Sequence, residues 1–215
     1  MTYKAAIPAY GRVEERLNVL SHGLGALGAV VGFCYLLHQA FIMSSWPYWL
    51  SATVFGGGMV LMLTSSTLYH LAKKPVLRKW LRRCDHGMIF IFIAATYTPF
   101  TLLALQGDQS IFWTAIIWSI ALLGIIVAFI PFKHKVWVEI PLCLGLGWLA
   151  IFLYGSFSGE LGLGGHWLFA GGVVYSVGAL LYLVKKMPFN HAIWHCFVLA
   201  GLSCHYVAIS AYLMT

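Results

Sequence analysis

Three histidines, one aspartate and one serine are the residues of this chain whose types and spacing suit chemistry. His191 and His195 are four apart, so on a helix they share a face one turn apart and form a two-point grip for a metal ion. His70 supplies a third imidazole, and Ser66 lies one turn earlier on the same helical face, roughly 6 Å along the axis. Zinc held by three protein ligands keeps a fourth position for water, the arrangement of catalytic rather than structural sites. Bound there, Zn2+ polarises a carbonyl and lowers the pKa of water toward ~7. Asp85 is then placed to take or orient that water's proton, and Ser66 to hold the water or steer His70. Taken singly, each histidine reads first as an interfacial polar residue, and only the trio carries the metal reading. Cys84 and Cys196 are rival soft ligands, although Cys196 is rotated ~100° from His195 on its helix.

The elements that must position these groups are membrane helices. The chain has 215 residues, 61% of them hydrophobic and only 9% charged, against roughly 25% charged in a soluble domain. Its mean hydropathy is +0.85. Seven apolar stretches run Val19 to Leu37, Tyr48 to Leu71, Gly87 to Leu105, Ile111 to Ile130, Val136 to Phe157, Trp167 to Val184 and Ile193 to Leu213. Each is near the ~20 residues a helix needs to cross a ~30 Å hydrocarbon layer. They do not alternate polar with apolar residues, so helices rather than barrel strands satisfy the backbone in lipid. The expected fold is all-α: a single seven-transmembrane helix bundle over residues 1–215, with a short tail at 1–17. No cleavable signal peptide is expected, because no small-residue cleavage site follows the first apolar run.

All 13 Lys and Arg residues fall in one alternating set of connections. Lys4, Arg12 and Arg16 precede the first stretch, and Lys73, Lys74, Arg78, Lys79, Arg82 and Arg83 follow the second. Lys133 and Lys135 follow the fourth, and Lys185 and Lys186 the sixth, while the intervening loops carry Asp108 and Glu160. Basic loops stay on the cytoplasmic side, so the N-terminus is expected there and the C-terminus outside. The formal +7 charge is thereby a topology signal with attraction to anionic head groups, and nucleic-acid binding is excluded. The basic loop Ala72 to Cys84 is expected to lie on the membrane surface as an amphipathic turn, with Asp85 opening the third helix. Pro99 and Pro141 are expected to open kinks. Pairs such as Gly28 with Gly32, and Gly124 with Ala128, are expected to allow close helix packing. The five cysteines show no paired spacing and imply no disulfide framework.

His70, His191, His195, Asp85 and Ser66 thus reach one depth on the cytoplasmic side, from three helices that must be neighbours for contact. Ionisable groups at such depths are costly and tend to be functional. Glu15, Asn18 and His22 share one face at the start of the first helix, and could border the site or anchor the N-terminus, the structural role being the one favoured. His86 is expected to face elsewhere and Glu139 to pair with Lys135. His38, His134, His166 and His205 have no recognisable partner in the sequence.

The motifs Glu15-x-x-Asn18-x-x-Ser21-His22, Ser66-x-x-x-His70, Asp85 after a basic stretch, and His191-x-x-x-His195 resemble the hemolysin III branch of the progestin and adipoQ receptor family, bacterial relatives of the adiponectin receptors. The resemblance spans nearly the whole chain. It implies His70, His191 and His195 as zinc ligands, with Asp85 and Ser66 around the water. That family is in turn similar to the alkaline ceramidases, which implies hydrolysis of lipid amides at the cytoplasmic leaflet of a bacterial inner membrane. The setting it implies is membrane lipid and fluidity homeostasis, with membrane lipids as partners. The receptor branch carries a long N-terminal region that this sequence lacks, so hormone reception is not carried over. Two other readings stand beside the hydrolase: a non-enzymatic regulator stapled by structural zinc, and a hemolysin-type channel. A retinal pump is excluded, because the last helix has no lysine for a Schiff base.

Overall fold

The computed structural model describes residues 8 and 10–215, with no side-chain detail at 157, 158 and 160. Lys4 and the side chain of Glu160 therefore lie outside the described residues. The elements are α1 (Arg12–Met43), α2 (Trp46–Leu71), α3 (Pro75–Leu103), α4 (Gly107–Phe129), α5 (Val136–Trp148), α6 (Ala150–Leu161), α7 (Gly164–Leu183) and α8 (Asn190–Tyr212). Among the described residues, seven spans are long and apolar enough to cross a membrane, α5 and the start of α6 forming the fifth as Val136–Ser156. Large apolar side chains cover the outside of the bundle, among them Leu27 at 67% exposure and Phe152 at 79%. Such a surface would aggregate in water and is suited to lipid. The chain is an all-α, multi-pass integral membrane protein.

Adjacent helices pack in chain order from α1 to α4, α7 lies along α8, and α8 returns to α1 and closes the ring. α3 stands at the centre, where it also reaches α5 and α8. Its inner face is sealed by Phe90, Phe92, Ala94, Ala95 and Phe100, all buried. Hydrogen bonds from Trp118 Nε1 to Thr98 Oγ1 (3.2 Å) and from Thr114 to Thr101 (2.6 Å) tie α4 to it. Close packing occurs where expected at Gly124, whose missing Cβ leaves room for the Phe90 ring, and at Gly32, which lies against Tyr206. Gly28 faces open space instead, so the Gly28–Gly32 pair is not a helix-packing motif.

Two boundaries depart from the hydropathy reading. The basic stretch after α2 is not a surface turn, because α3 begins at Pro75 and runs through it as continuous helix. Proline is preorganised for a first helical turn, and the Leu, Arg, Lys and Trp that follow continue it readily. Only residues 72–74 connect α2 to α3, and Asp85 sits well inside α3 rather than at its start. α1 likewise begins at Arg12, with Glu14 and Glu15 in its first turn, where acidic side chains favour a helix start.

The fifth span breaks at Leu149, between α5 and α6, and not at Pro141. Tyr97 of α3 accounts for the break. Its hydroxyl lies 3.0 Å from Leu146 O and 2.5 Å from Gly147 O, and it accepts the Ala150 N–H at 2.7 Å. One hydroxyl thus satisfies backbone groups that interrupting a helix in an apolar setting would leave unpaired.

Candidate metal centre

His70 ends α2, and its buried ring is held from two directions. Nδ1 donates to Glu15 Oε2 at 2.8 Å, and the Asn18 amide of α1 lies 3.4 Å away. The other Glu15 oxygen pairs with Arg78 of α3. Arg78 also donates to the carbonyl of Ala72 at 3.2 Å, where the end of α2 leaves orphan acceptors. Because the carboxylate takes the Nδ1 proton, the Nε2 lone pair of His70 is left free to bind.

His191 and His195 depend on how α8 begins. Phe189 adopts a left-handed conformation (φ 53°), and Asn190 Nδ2 reaches back to the carbonyls of Leu181 (2.7 Å) and Val184 (3.2 Å) at the end of α7. Glu14 of α1 accepts the His191 backbone N–H, which has no acceptor within its own helix, at 3.1 Å, capping α8 from another helix. One turn on, Ser21 Oγ lies 3.1 Å from His195 Nδ1. The Ser21 hydroxyl donates its single proton to Asn18 O at 3.1 Å, so it accepts from His195 Nδ1–H and leaves Nε2 unprotonated.

The three rings converge. One nitrogen from each of His70, His191 and His195 lies within 4.8 Å of the others, and all three side chains are buried. The Nε2 atoms of His70 and His191 face each other at 3.1 Å, while His191 Nδ1 has no partner among the described residues. A tetrahedral zinc with bonds of ~2.0–2.1 Å sets its ligand nitrogens roughly 3.4 Å apart, which the cluster brackets. Two oriented imidazole lone pairs and a third buried imidazole make a donor set that suits a divalent cation. The trio can hold a metal ion.

Ser66 and Asp85 line the cavity on which the cluster opens, and the Ser66 hydroxyl lies against the Asp85 carboxyl. Neither belongs to the converging set of nitrogens. The rival thiols are absent from it as well, and Cys84 and Cys196 are both free. Glu15, Asn18 and His22 border the centre rather than merely tying down the chain start. Glu15 does both, since it joins His70 to Arg78. His22 stacks flat on His195, with ring centroids 3.6 Å apart and planes 4° from parallel. Tyr10, just ahead of α1, stacks on His191 at 4.8 Å, and burial pushes its hydroxyl pKa up.

Sequence reasoning gave no role to Ser21, Glu14 or Tyr10, although Glu14, Asn18 and Ser21 recur at helical spacing on one face of α1. His86 stays out of the imidazole cluster, as expected, and donates to Glu139 Oε2 at 2.9 Å, while Glu139 also takes the expected Lys135 at 3.2 Å. His205 has a partner too, the carbonyl of Leu168 at 3.1 Å.

The cavity beside the centre has a volume of about 630 Å³ and an almost wholly apolar wall. It runs from His191, His195 and Asp85, between α3, α5, α7 and α8, to Trp148, Tyr154 and His166 near the opposite ends of their helices. Its lining suits an apolar ligand better than a polar metabolite.

Comparison with known proteins agrees with this architecture. The family described as Haemolysin-III related matches residues 10–206. A protein named Hemolysin-3 homolog from Bacillus subtilis (strain 168) is 38% identical over 204 residues, covering 93% of this chain and 94% of its own. Hemolysin-3 of Bacillus cereus is 36% identical, with 94% and 92% covered. The human monocyte to macrophage differentiation factor is 33% identical over 220 residues, with 96% and 89% covered. The chain belongs to the haemolysin-III related family.

Proposed function

With that membership as premise, we propose that the protein is a zinc-dependent hydrolase of lipid amides or esters. One domain spans the chain, and the centre lies at the cytoplasmic side of a bacterial inner membrane, where the enzyme serves lipid homeostasis. The observation that carries this reading is the junction of three buried imidazoles with an apolar cavity of about 630 Å³. A metal bridge alone would need no such cavity, and a pore would need a polar path rather than an apolar wall.

His70, His191 and His195 would hold the ion. When bound, zinc supplies Lewis acidity toward a carbonyl oxygen and makes water more acidic. Glu15 and Ser21 fix the tautomers of His70 and His195, so the protein meets the ion with lone pairs already aimed. The cavity seats the apolar tail and excludes bulk water from it. Asp85, on the α3 wall, accepts the proton of the attacking water and returns one to the departing amine or alcohol. Ser66 orients the Asp85 carboxyl.

The discriminating variant is Asp85→Asn. Loss of a general base lowers turnover by about 10²- to 10⁴-fold. Metal content should stay at the wild-type value, because Asp85 is outside the cluster. The substrate for the assay is a fluorescent N-acyl lipid presented in nanodiscs. Unchanged turnover would remove Asp85 from the mechanism. No turnover in the wild type, with metal bound, would favour the regulator in which zinc staples α2 to α8.

A further inference from the structure

His86 and Glu139 line the same cavity as Asp85, and neither has a part in holding the cation. His86 follows Asp85 on α3, about 100° round the helix at nearly the same depth. It acts electrostatically on both Asp85 and His191, which places its ring at the metal end of the cavity. The ring is held from outside α3. Nδ1 donates to Glu139 Oε2 of α5 at 2.9 Å, and the other carboxylate oxygen lies 3.2 Å from Lys135 Nζ. Lys135 in turn donates to the Ala128 carbonyl of α4. Lys135 already balances the carboxylate, so the pair needs no second cation, and the ring is neutral with its proton on Nδ1.

That leaves Nε2, on the far edge of the ring, as a bare acceptor. Nothing among the described residues donates to it, yet unlike the nitrogens of His22 it is not sealed by packing. The other acceptors at this end are engaged. Asp85 takes the Ser66 hydroxyl and is the base for water, Glu139 holds His86 and Lys135, and nitrogens of the trio face the cation.

We infer that His86 is a substrate-contacting residue whose Nε2 accepts the N–H of a lipid amide, which makes the cavity selective for amides over esters. This deepens the hydrolase reading and rests on it, because it takes the cavity as the lipid's site and decides which acyl bond is bound there. An ester has nearly the same shape and offers a similar carbonyl, but it carries no N–H. With an ester in place the Nε2 lone pair is buried without a donor, and sites built to pair a polar group reject ligands that leave it unpaired. Glu139 makes the acceptor rigid, since it fixes both the tautomer and the plane of the ring.

The test compares lipids that differ only at the acyl link: a secondary amide, its N-methyl amide and the corresponding ester. N-methylation keeps the amide carbonyl and removes the N–H. Each competes with a polyene-labelled N-acyl lipid on metal-loaded Asp85→Asn protein in phosphatidylcholine nanodiscs. Displacement is read as lost energy transfer from Trp148 and Trp194, which line the cavity. The secondary amide should compete about 10-fold better than the other two, the worth of one hydrogen bond. Adding His86→Phe, which keeps a flat ring and removes the acceptor, should make the three compete alike with metal content unchanged. His86→Gln keeps an acceptor and should retain part of the preference. Should His86→Phe fail to fold, His86→Leu makes the same comparison. Equal competition by amide and ester with His86 in place, or a preference that survives in His86→Phe, would overturn the inference. No displaceable signal at all would remove the cavity as a lipid site, and the inference with it.

Turnover separates the contact from the chemistry. With Asp85 intact, His86→Phe should lower kcat/KM for the amide by about 10-fold and leave that for the ester nearly unchanged. Cleavage of both bonds, with amide and ester affected equally by His86→Phe, would overturn the inference and leave the hydrolase reading intact. An amide preference that depends on His86, in a protein that never cleaves the amide, would sink the hydrolase reading and leave the His86 contact standing.

Discussion

The α2–α3 wall and the α5–α7 wall of this bundle are both apolar, but they are packed very differently. In the membrane-crossing windows of α2 and α3, 50% and 61% of residues are buried, against 17% in both the fifth span and α7. Phe55, Leu63, Phe90 and Phe100 fill the first wall with almost no exposure. The second wall is sparse, interrupted at Leu149, and faces the cavity along its length. The centre sits where the two meet, at the one end where α1 bridges α2 and α8. The comparison teaches that positional precision and room for a ligand come from opposite kinds of packing. Imidazoles held to a fraction of an ångström need the dense wall and its hydrogen-bonded shell. A long apolar tail needs a wall that its neighbours leave unfilled.

The sharpest way to break that contrast is a pair of truncations. Phe55→Ala, at a fully buried site, should destabilise the protein by ~3–5 kcal/mol in reversible unfolding from detergent micelles. Ile151→Ala lines the cavity at 59% exposure and should change stability by less than ~0.5 kcal/mol. Equal losses at the two positions would mean the walls do not differ as described.

A second pair of variants tests the hydrogen-bonded shell. Glu15→Gln and Ser21→Ala each leave all three imidazoles in place but release a ring from its fixed tautomer. Each should weaken zinc affinity by about 10- to 100-fold in competition with a chromophoric chelator. Wild-type affinity in both would reduce α1 to a strap with no part in the centre.

The smallest effect concerns Lys185, which follows α7 and whose ammonium sits 3.2 Å over the Tyr182 ring. Partial desolvation of the ammonium, with Arg82 nearby, pushes its pKa down to about 8 from 10.5. The folded protein therefore binds fewer protons than the unfolded chain between those values, so this group makes stability rise with pH across that window. Lys185→Met should flatten that rise in melting curves taken at pH 8 and pH 10. A slope unchanged by the substitution would assign it to other groups.

How much of this was legible in the sequence follows from what each feature depends on. The seven spans were legible because the hydrocarbon layer imposes length and apolarity on every crossing segment. The His191–His195 pair was legible from four-residue spacing, and His70 joined it because the alternating basic loops put both at one end. The start of α3 was not, since hydropathy cannot see a helix that continues into a basic surface segment. Nor was the break at Leu149, which is set by a hydroxyl from a residue about fifty positions away in sequence. Ser21 and Glu14 stayed obscure for the same reason: their partners lie on α8, and only the closure of α8 on α1 brings them together. The cavity had no sequence signature at all, because it arises from side chains that fail to meet.

Metal content decides the account most directly. The protein, purified without added metal and analysed by inductively coupled plasma mass spectrometry, should carry about one zinc per chain. His70→Ala, His191→Ala and His195→Ala should each lose it while Asp85→Asn keeps it. A folded wild type that stays metal-free after incubation with zinc, or a His191→Ala variant that retains the full complement, would contradict the account.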